Sequence, residues 1–179
     1  QRVYAYQGDT LDREDQRITL IGIHALLSQV DNDALGTGDI TITPTLQSGL
    51  SKIGSSVADV TLNNNIVLNT GSTIDVRVDA NTFTWNGNVS GPGGFIKTGG
   101  AAITGTLSLA GNNSFAGDLI IDGGIVLAKS NTALGAATGL IMVNPNTTLA
   151  FEGGINHAFG DGQRGCILYG VGQADHAPR

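Results

Sequence analysis

The chain has 179 residues, which is enough for one domain with a real core, and it carries a formal net charge of −6. Hydrophobic residues make up 40% of the sequence and charged residues only 13%, a composition that excludes a disordered chain. The nine Lys and Arg residues are scattered and form no basic patch that could bind nucleic acid. The sequence contains neither a basic amphipathic helix nor a long apolar run, so no membrane-bound segment is predicted.

The chain divides into three parts that differ in residue composition. Residues 1–17 are rich in charged and amide side chains and poor in glycine, and we predict a segment of unknown role that could cap one end of the fold. From residue 18, short apolar runs alternate with Gly, Asn, Asp and Ser, which is typical of short strands joined by tight turns. We therefore predict an all-β domain over 18–170 and a loose C-terminal tail over 171–179.

The first apolar segment, "LIGIHALLSQV" at 20–30, fits either a strand or a short helix. It belongs to an internal repeat, because 20–36 aligns without gaps on 119–135, and 37–44 matches 138–145. The second copy contains the strand-like "GGIVLA", which weakens the helical interpretation of the first. A repeat of short strands and Gly/Asn turns indicates a solenoid, in which each unit buries its apolar face against its neighbours.

Alternation predicts the strands that follow. In "STIDVRVDANTFTW", Ile74, Val76 and Val78 share one face, and Phe83 and Trp85 alternate with threonines after the turn "DAN". "LIIDGGIVLA" and "GLIMVNPNTTLAF" each predict two short strands, broken at 122–124 and at "NPN". The side chains that we expect to face inward are Phe95, Leu107, Leu109, Ile121, Ile125, Leu127, Ile141 and Val143.

Turn composition favours a parallel coil over a stack of hairpins. Asn-Gly, the strongest hairpin signal, occurs only once, at Asn86-Gly87. Coils of about 20–25 residues give a parallel β-helix of about six or seven coils, with strands stacked about 4.8 Å apart. Asn residues at repeated turn positions are expected to stack in ladders that satisfy polar groups at the corners.

The stretch "GPGGFIKTGG" at 91–100 resembles a phosphate-binding loop, but Ile96 occupies the position of the second glycine and no helical pattern follows. We interpret it as a structural corner. Gly93 and Gly94 would turn the chain with positive φ, Phe95 would enter the interior, and alternation would turn Lys97 inward. The Lys97 amine would then reach solvent at a bulge or donate to backbone carbonyls of an adjacent coil. This interpretation predicts that Gly94→Val harms folding more than Lys97→Ala.

The segment from this corner to residue 135 resembles the autotransporter-associated β-strand repeat, found in passenger domains of bacterial autotransporters. The pattern combines a Gly-Gly-hydrophobic-x-Lys-x-Gly corner, a Gly-Thr-Leu-x-Leu strand, a Gly-x-Asn turn followed by an aromatic residue, and a closing Asn-x-Ala-Leu-Gly. The matching residues are Gly93, Gly94, Phe95, Lys97, Gly99, Gly105–Leu109, Gly111, Asn112, Asn113, Phe115, Gly117, Gly124 and Asn131–Gly135.

The resemblance implies a right-handed parallel β-helix that is secreted by the type V route to the extracellular space or the bacterial cell surface. Membrane association would occur only through a C-terminal barrel, which residues 160–179 do not resemble. Two departures stand out: the link "GGAAITGTL" is longer than usual, and Asp118 replaces a glycine. Gly93, Gly94, Lys97, Gly99 and Gly124 are expected to form the structural turn motif.

Candidate chemical groups are few. Asp75, Arg77 and Asp79 share a strand face and could handle a uronate, although a solvated face with cross-strand charge pairing explains them better. Asp118 and Asp122 lie in Gly-rich turns that lack the pattern of a calcium site. His24, His157, His176 and Cys166 show no metal-ligand spacing, and a single cysteine forms no internal disulfide. We therefore expect no catalytic, cofactor-binding or metal-binding residue.

The sequence is compatible with two functions. The first is a non-enzymatic surface rod for adhesion or partner contact, whose partner would be a protein or glycan on a host or neighbouring cell. The alternative is a carbohydrate-active β-helix protein that binds or cleaves polysaccharides. Phe83, Trp85, Phe95 and Phe115 could stack on sugars, but packing inside a thin coil is the better explanation of these aromatic residues.

Overall fold

The computed structural model describes residues 10–12, 17–21, 37–44, 51–55, 58–99, 104–156, 166–168 and 173–176. In these ranges the backbone forms seventeen strands, numbered β1 to β17 in chain order, and no helix. The described residues therefore contain no helix of the length and hydropathy needed to cross a bilayer.

The strands form three sheets. From β3 to β11 the chain visits the three sheets in turn, and from β12 onward its strands alternate between the second and third sheets. The first sheet contains β1 (Thr10–Asp12), β2 (Arg17–Ile21), β3 (Ile40–Thr43), β6 (Ile66–Leu68) and β9 (Val89–Ser90). The second contains β4 (Ser51–Ser55), β7 (Thr73–Val78), β10 (Gly94–Thr98), β12 (Leu119–Ile121), β14 (Ile141–Val143) and β16 (Cys166–Leu168). The third contains β5 (Val60–Leu62), β8 (Thr82–Trp85), β11 (Thr106–Leu109), β13 (Ile125–Ala128), β15 (Thr148–Phe151) and β17 (Gln173–His176).

Strand pairing is parallel throughout the described chain except between β1 and β2, which pair antiparallel at the edge of the first sheet. Successive strands of the second sheet are offset by 21 to 25 residues, as the pairs Ile74–Phe95 and Ile141–Cys166 show. A chain that returns to the same sheet in parallel after each such interval is a parallel β-solenoid. The predicted fold class and coil length are confirmed.

The solenoid makes about four full turns between β4 and β14, each returning to the second sheet. Sheet pairing continues beyond these turns through β2 at one end and through β16 and β17 at the other. The expected count of six or seven coils is therefore slightly high. The segment 20–30, for which the sequence fits either a strand or a short helix, begins in strand β2. Its remainder, 22–30, lies outside the described residues.

Apolar side chains from the three sheets fill the interior of the solenoid. Ile74, Val76 and Val78 are fully buried, as their alternation predicts. Of the eight side chains expected to face inward, six are buried: Phe95, Leu107, Leu109, Ile121, Ile141 and Val143.

The prediction for the other two, Ile125 and Leu127, is wrong. Both are only half-buried, and Val126 and Ala128 face the interior in their place. The register explains this, because the buried Leu107 of β11 pairs with Val126. The turn at Gly123-Gly124 therefore starts β13 one residue out of phase with the pattern expected.

The internal repeat reflects a shared local strand pattern, and its two copies lie in different sheets of the solenoid. Ile40 and Ile141 are equivalent in the repeat, and both begin a strand with a buried isoleucine. However, β3 lies in the first sheet and β14 in the second. The similarity thus arises from the common demands of a strand and a corner.

Glycines occur where the backbones of successive coils touch. A Cβ atom on Gly111 would lie 2.2 Å from the carbonyl oxygen of Gly87, one coil earlier. Similarly, a Cβ atom on Gly117 would lie 2.5 Å from the backbone of Gly93. Non-bonded atoms do not approach so closely, so these corners accept only a residue without a side chain. Close stacking at corners explains much of the glycine content.

Candidate functional site

The most unusual group in the described chain is Lys97, whose side chain is 0% exposed inside the solenoid. Its Nζ donates hydrogen bonds to the carbonyl oxygens of Thr98 and Gly123, each at 2.7 Å, and of Val78 at 3.4 Å. Val78 ends β7 in the preceding coil and Gly123 lies at the corner of the following coil. The amine thus joins three successive coils at one corner.

Burial lowers the pKa of Lys97 from its ordinary value of 10.5 to about 8, although Asp75 and Asp79 act in the opposite direction. The lowered pKa means that the interior disfavours the ammonium form relative to water. The three carbonyl oxygens compensate for part of this desolvation, because an ammonium group has three N–H donors to offer.

This pKa shift predicts that the stability of the solenoid rises with pH between about 8 and 10.5. In that range the unfolded chain still holds the Lys97 proton and the folded chain has released it. Raising the pH therefore favours folding, by up to roughly 3 kcal/mol for a shift of this size. Denaturant midpoints of the native chain and of Lys97→Met, measured from pH 7 upward, test this.

The difference in unfolding free energy between the two proteins should be flat below pH 8 and should grow in favour of the native chain above it. Other titrating groups are common to both proteins and cancel in the difference. A difference that stays constant or shrinks with rising pH would contradict the inferred role of burial.

The side-chain orientations predicted for "GPGGFIKTGG" are confirmed. Phe95 is buried, Ile96 faces outward and is half-buried, and Lys97 points inward to backbone carbonyls of adjacent coils. The sequence predicts that the Lys97 amine either reaches solvent or donates to backbone carbonyls, and the structure shows the second arrangement. Because the amine already donates to three carbonyl oxygens inside the coil, it is not arranged to bind a phosphate group.

The positive φ expected at Gly93 and Gly94 is wrong. The left-handed residue of this corner is Gly91, with φ of 99°, because the chain turns immediately after β9. Gly93 is instead required for space, since a Cβ atom there would lie 2.7 Å from the carbonyl oxygen of Ser72. Gly94 is the less constrained of the pair: its Cβ atom would be 3.3 Å from the nearest atom, the carbonyl oxygen of Asp118.

The remaining glycines of the proposed turn motif surround the Lys97 amine. Gly124 has φ of 73°, and a Cβ atom on it would lie 2.3 Å from the carbonyl oxygen of Gly105 and 3.0 Å from Nζ of Lys97. Gly99 lies directly beside Gly123, whose own Cβ atom would approach the Gly99 nitrogen to 2.6 Å. These glycines leave the room that the amine and the carbonyl groups need.

The charged residues of β7 are paired, and one of them is covered. Asp75 is only 2% exposed; it accepts a 2.6 Å hydrogen bond from Oγ1 of Thr98 and lies 3.4 Å from Nζ of Lys52. Arg77 is exposed and contacts Asp79 at 2.8 Å. Cross-strand charge pairing is therefore present, but the expectation of a solvated face is wrong for Asp75, because the neighbouring coils cover it on both sides.

The aromatic side chains named as possible sugar platforms all lie inside the coil. Phe83, Trp85, Phe95 and Phe115 are buried, and their ring centroids follow one another at 5.9, 6.1 and 5.8 Å. The indole nitrogen of Trp85 donates to the carbonyl oxygen of Asn64 at 3.0 Å. This row of rings is part of the core and is not available to a ligand.

Asparagines form the predicted ladder along one corner. Asn65 donates to Asp39 at 3.1 Å and accepts a bond from the Asn88 backbone at 3.0 Å, and Asn88 accepts a bond from the Asn112 backbone at 2.8 Å. Each step joins one coil to the next. Amide side chains suit this position because they donate and accept hydrogen bonds at once.

Two inward-facing amides were not predicted. Asn64 donates to the carbonyl oxygen of Gly38 at 2.7 Å. Asn113 accepts a bond from the Val89 backbone at 2.8 Å and donates to the carbonyl oxygen of Ala133 at 2.6 Å. The signal that could have identified them is the run of adjacent asparagines after β5 and β11, where one member must face inward. These buried amides also fasten neighbouring coils.

A shallow groove of about 320 Å³ lies on the outer face of the second sheet, and its lining includes Thr73, Pro92, Gly94, Ile96, Asp118 and Ile120. We call it the Gly94 groove. The sequence alone did not point to it. Asp118 beside it accepts a bond from the Leu140 backbone at 2.8 Å, and Asp122 accepts one from Asn144 at 2.7 Å.

The structure assigns no metal ligands among the residues it describes, where no group of three His, Cys, Asp or Glu side chains is arranged to hold an ion. His24 and His157 lie outside the described residues. His176 and Cys166 lie in β17 and β16, where the backbone alone is described.

No protein-family model, curated protein or solved structure matches this chain.

Proposed function

We propose that this chain is a non-enzymatic rod, exported to the extracellular space or the bacterial cell surface as part of an autotransporter-like passenger, where its flank contacts a partner. The partner would be a protein or glycan on a host or neighbouring cell. The proposal combines the parallel solenoid with the way in which its polar side chains are used.

The observation that carries this proposal is that the groups best suited to chemistry fasten one coil to the next. The Lys97 amine binds carbonyl oxygens of two other coils, and Asp75 is held between Lys52 and Thr98 of the adjacent strands. Asn65 and Asn88 join successive corners. Side chains used in this way support a rigid rod and leave none of these groups free for proton transfer or nucleophilic attack.

Export is supported by sequence and by architecture. The resemblance to the autotransporter-associated repeat includes Gly93, Lys97 and Gly124. Lys97 and Gly124 lie together at the corner after β10, and Gly93 lies at the corner before it. A solenoid whose contacts lie between nearest-neighbour coils can also fold progressively from one end. Progressive folding suits a chain that emerges across a membrane.

Cell binding by the purified chain tests this proposal. A fluorescently labelled chain should bind intact cells saturably, and a heat-unfolded sample should not. Protease treatment of the cells should abolish binding if the partner is a protein, and glycosidase treatment should do so if it is a glycan. Absence of binding to a broad panel of cells would count against the proposal.

The carbohydrate-active alternative gives a different result in a parallel assay. Incubation with acidic and neutral polysaccharides should release no reducing or unsaturated ends. Release that disappears in the variants Asp75→Asn or Asp118→Asn would establish a polysaccharide-cleaving enzyme and overturn the rod proposal.

A further inference from the structure

The outer face of the second sheet changes character along the rod. One row of outward side chains runs through directly paired positions, from Lys52 and Asp75 to Ile96, Ile120 and Met142. The first two are charged and interact with each other, whereas the last three are apolar and half-buried. Neighbouring positions are about 4.8 Å apart, so three apolar side chains form a ridge about 10 Å long. We call it the Ile120 ridge, and it consists of Ile96, Ile120 and Met142.

The Gly94 groove lies beside this ridge because one side chain is missing from the next row. Phe95 pairs with Ile74 and Leu119, so Gly94 lies between Thr73 and Asp118 in that row. Without a Cβ atom at Gly94 the surface dips, and Ile96 and Ile120 contribute to its lining. The ridge and groove together offer an apolar surface with a recess for a side chain.

Two carboxylates flank the ridge at β12. Asp118 precedes the strand and Asp122 follows it, and both are exposed. One oxygen of each accepts a hydrogen bond from the next coil, which orients the carboxylate, and within the described ranges the second oxygen accepts none. The ion pairs of the described chain are Lys52–Asp75, Arg77–Asp79 and Lys129–Glu152, so neither Asp118 nor Asp122 has a cationic partner there.

We propose that the Ile120 ridge and Gly94 groove bind a protein segment that carries apolar and basic side chains. An apolar side chain of the partner would occupy the groove over Ile96 and Ile120, and a Lys or Arg on either side would pair with Asp118 or Asp122. Charge complementarity selects this occupant. Asp75 next to Ile96 is already paired with Lys52, whereas the exposed Asp118 and Asp122 have no cationic partner among the described residues, and the whole chain carries −6. The inference rests on the proposed function and identifies the partner of the rod as a protein.

Other occupants fit this surface less well. A sugar commonly stacks on an aromatic platform, and the outward positions of β10, β12 and β14 carry none. An anionic membrane surface would be repelled by the two carboxylates. A basic, apolar protein segment satisfies both the ridge and its flanks.

The test measures fluorescence polarisation of a labelled peptide in which leucine and lysine alternate. The full chain should bind this peptide, and a matched peptide with glutamate in place of lysine should not bind. Ile120→Asn should weaken binding at least about tenfold, and so should the double variant Asp118→Asn with Asp122→Asn. The matched control is Leu127→Asn, because Leu127 is also half-buried and outward but lies on the third sheet; it should leave binding unchanged.

Several outcomes would overturn the inference. They are absence of peptide binding, equal loss in Ile120→Asn and Leu127→Asn, or retention of binding in the double carboxylate variant. Circular dichroism confirms that each variant is folded, and if Ile120→Asn does not fold, the carboxylate variant carries the test because asparagine keeps the accepting oxygen. Cell binding that persists in the folded ridge variants would contradict this surface and leave the rod proposal standing.

Discussion

Lys97→Ala is expected to destabilise the solenoid by about 5 kcal/mol, which is a third or more of the stability of an ordinary domain. Two losses add together. Truncating a fully buried long side chain leaves a cavity, and the carbonyl oxygens of Thr98, Gly123 and Val78 lose a buried donor. Thermal melts followed by far-UV circular dichroism should show a fall in Tm of about 10 to 20 °C, or no cooperative transition.

Two further variants separate the causes. Lys97→Met keeps most of the side-chain volume and removes the amine; it should cost only about 2 kcal/mol, because relief of the buried charge offsets part of the loss of hydrogen bonds. Lys129→Ala is the control: it removes the same side chain at an exposed position, where the lysine pairs with Glu152 at 3.6 Å. It should change stability by less than about 1 kcal/mol. A Lys97→Ala melt that coincides with that of Lys129→Ala would refute the internal role of the amine.

Gly117→Ala is expected to destabilise the rod by about 3 kcal/mol or more, although it adds a single methyl group. The new Cβ atom would lie 2.5 Å from the carbonyl carbon and oxygen of Gly93 and 2.7 Å from the nitrogen of Gly94. All three are backbone atoms, so relief requires the two coils to separate locally. Chemical denaturation at neutral pH measures the change.

The matched control is Gly94→Ala, in the coil that Gly117 touches. A Cβ atom at Gly94 would have its nearest contacts at 3.3 Å, to the carbonyl oxygen of Asp118, and at 3.5 Å, to Oγ1 of Thr73. We expect a change within about 1 kcal/mol. Equal effects of Gly117→Ala and Gly94→Ala would show that close coil contact does not limit these corners.

These expectations reverse one order that the sequence alone predicts. The sequence suggests that Gly94→Val harms folding more than Lys97→Ala, on the assumption of positive φ at Gly94. In the structure the positive φ belongs to Gly91, and Lys97 is the buried residue with three backbone partners. Lys97→Ala is therefore expected to be the more damaging of the two substitutions.

The sequence by itself determined the elements of this protein and their general stacking. Alternation identified Ile74, Val76 and Val78 as one buried face, because side chains of a strand point alternately to its two sides. Glycine and asparagine between short apolar runs marked the corners, and their recurrence indicated a coil of the observed length. Alternation also predicted that Lys97 points inward. It followed that the amine would need hydrogen-bond acceptors, either water or backbone carbonyls.

Only the tertiary structure decided how one coil sits on the next. Pairing of Leu107 with Val126 decided that Ile125 and Leu127 face outward, because the geometry of the turn at Gly123-Gly124 sets the phase of β13. The contact of Gly117 with Gly93, the burial of Asp75 and the Ile120 ridge likewise depend on residues more than twenty positions apart. Local patterns report which way a side chain points within its own strand. They do not report which residue of the next coil it meets, because that register depends on the backbone path through every corner between them.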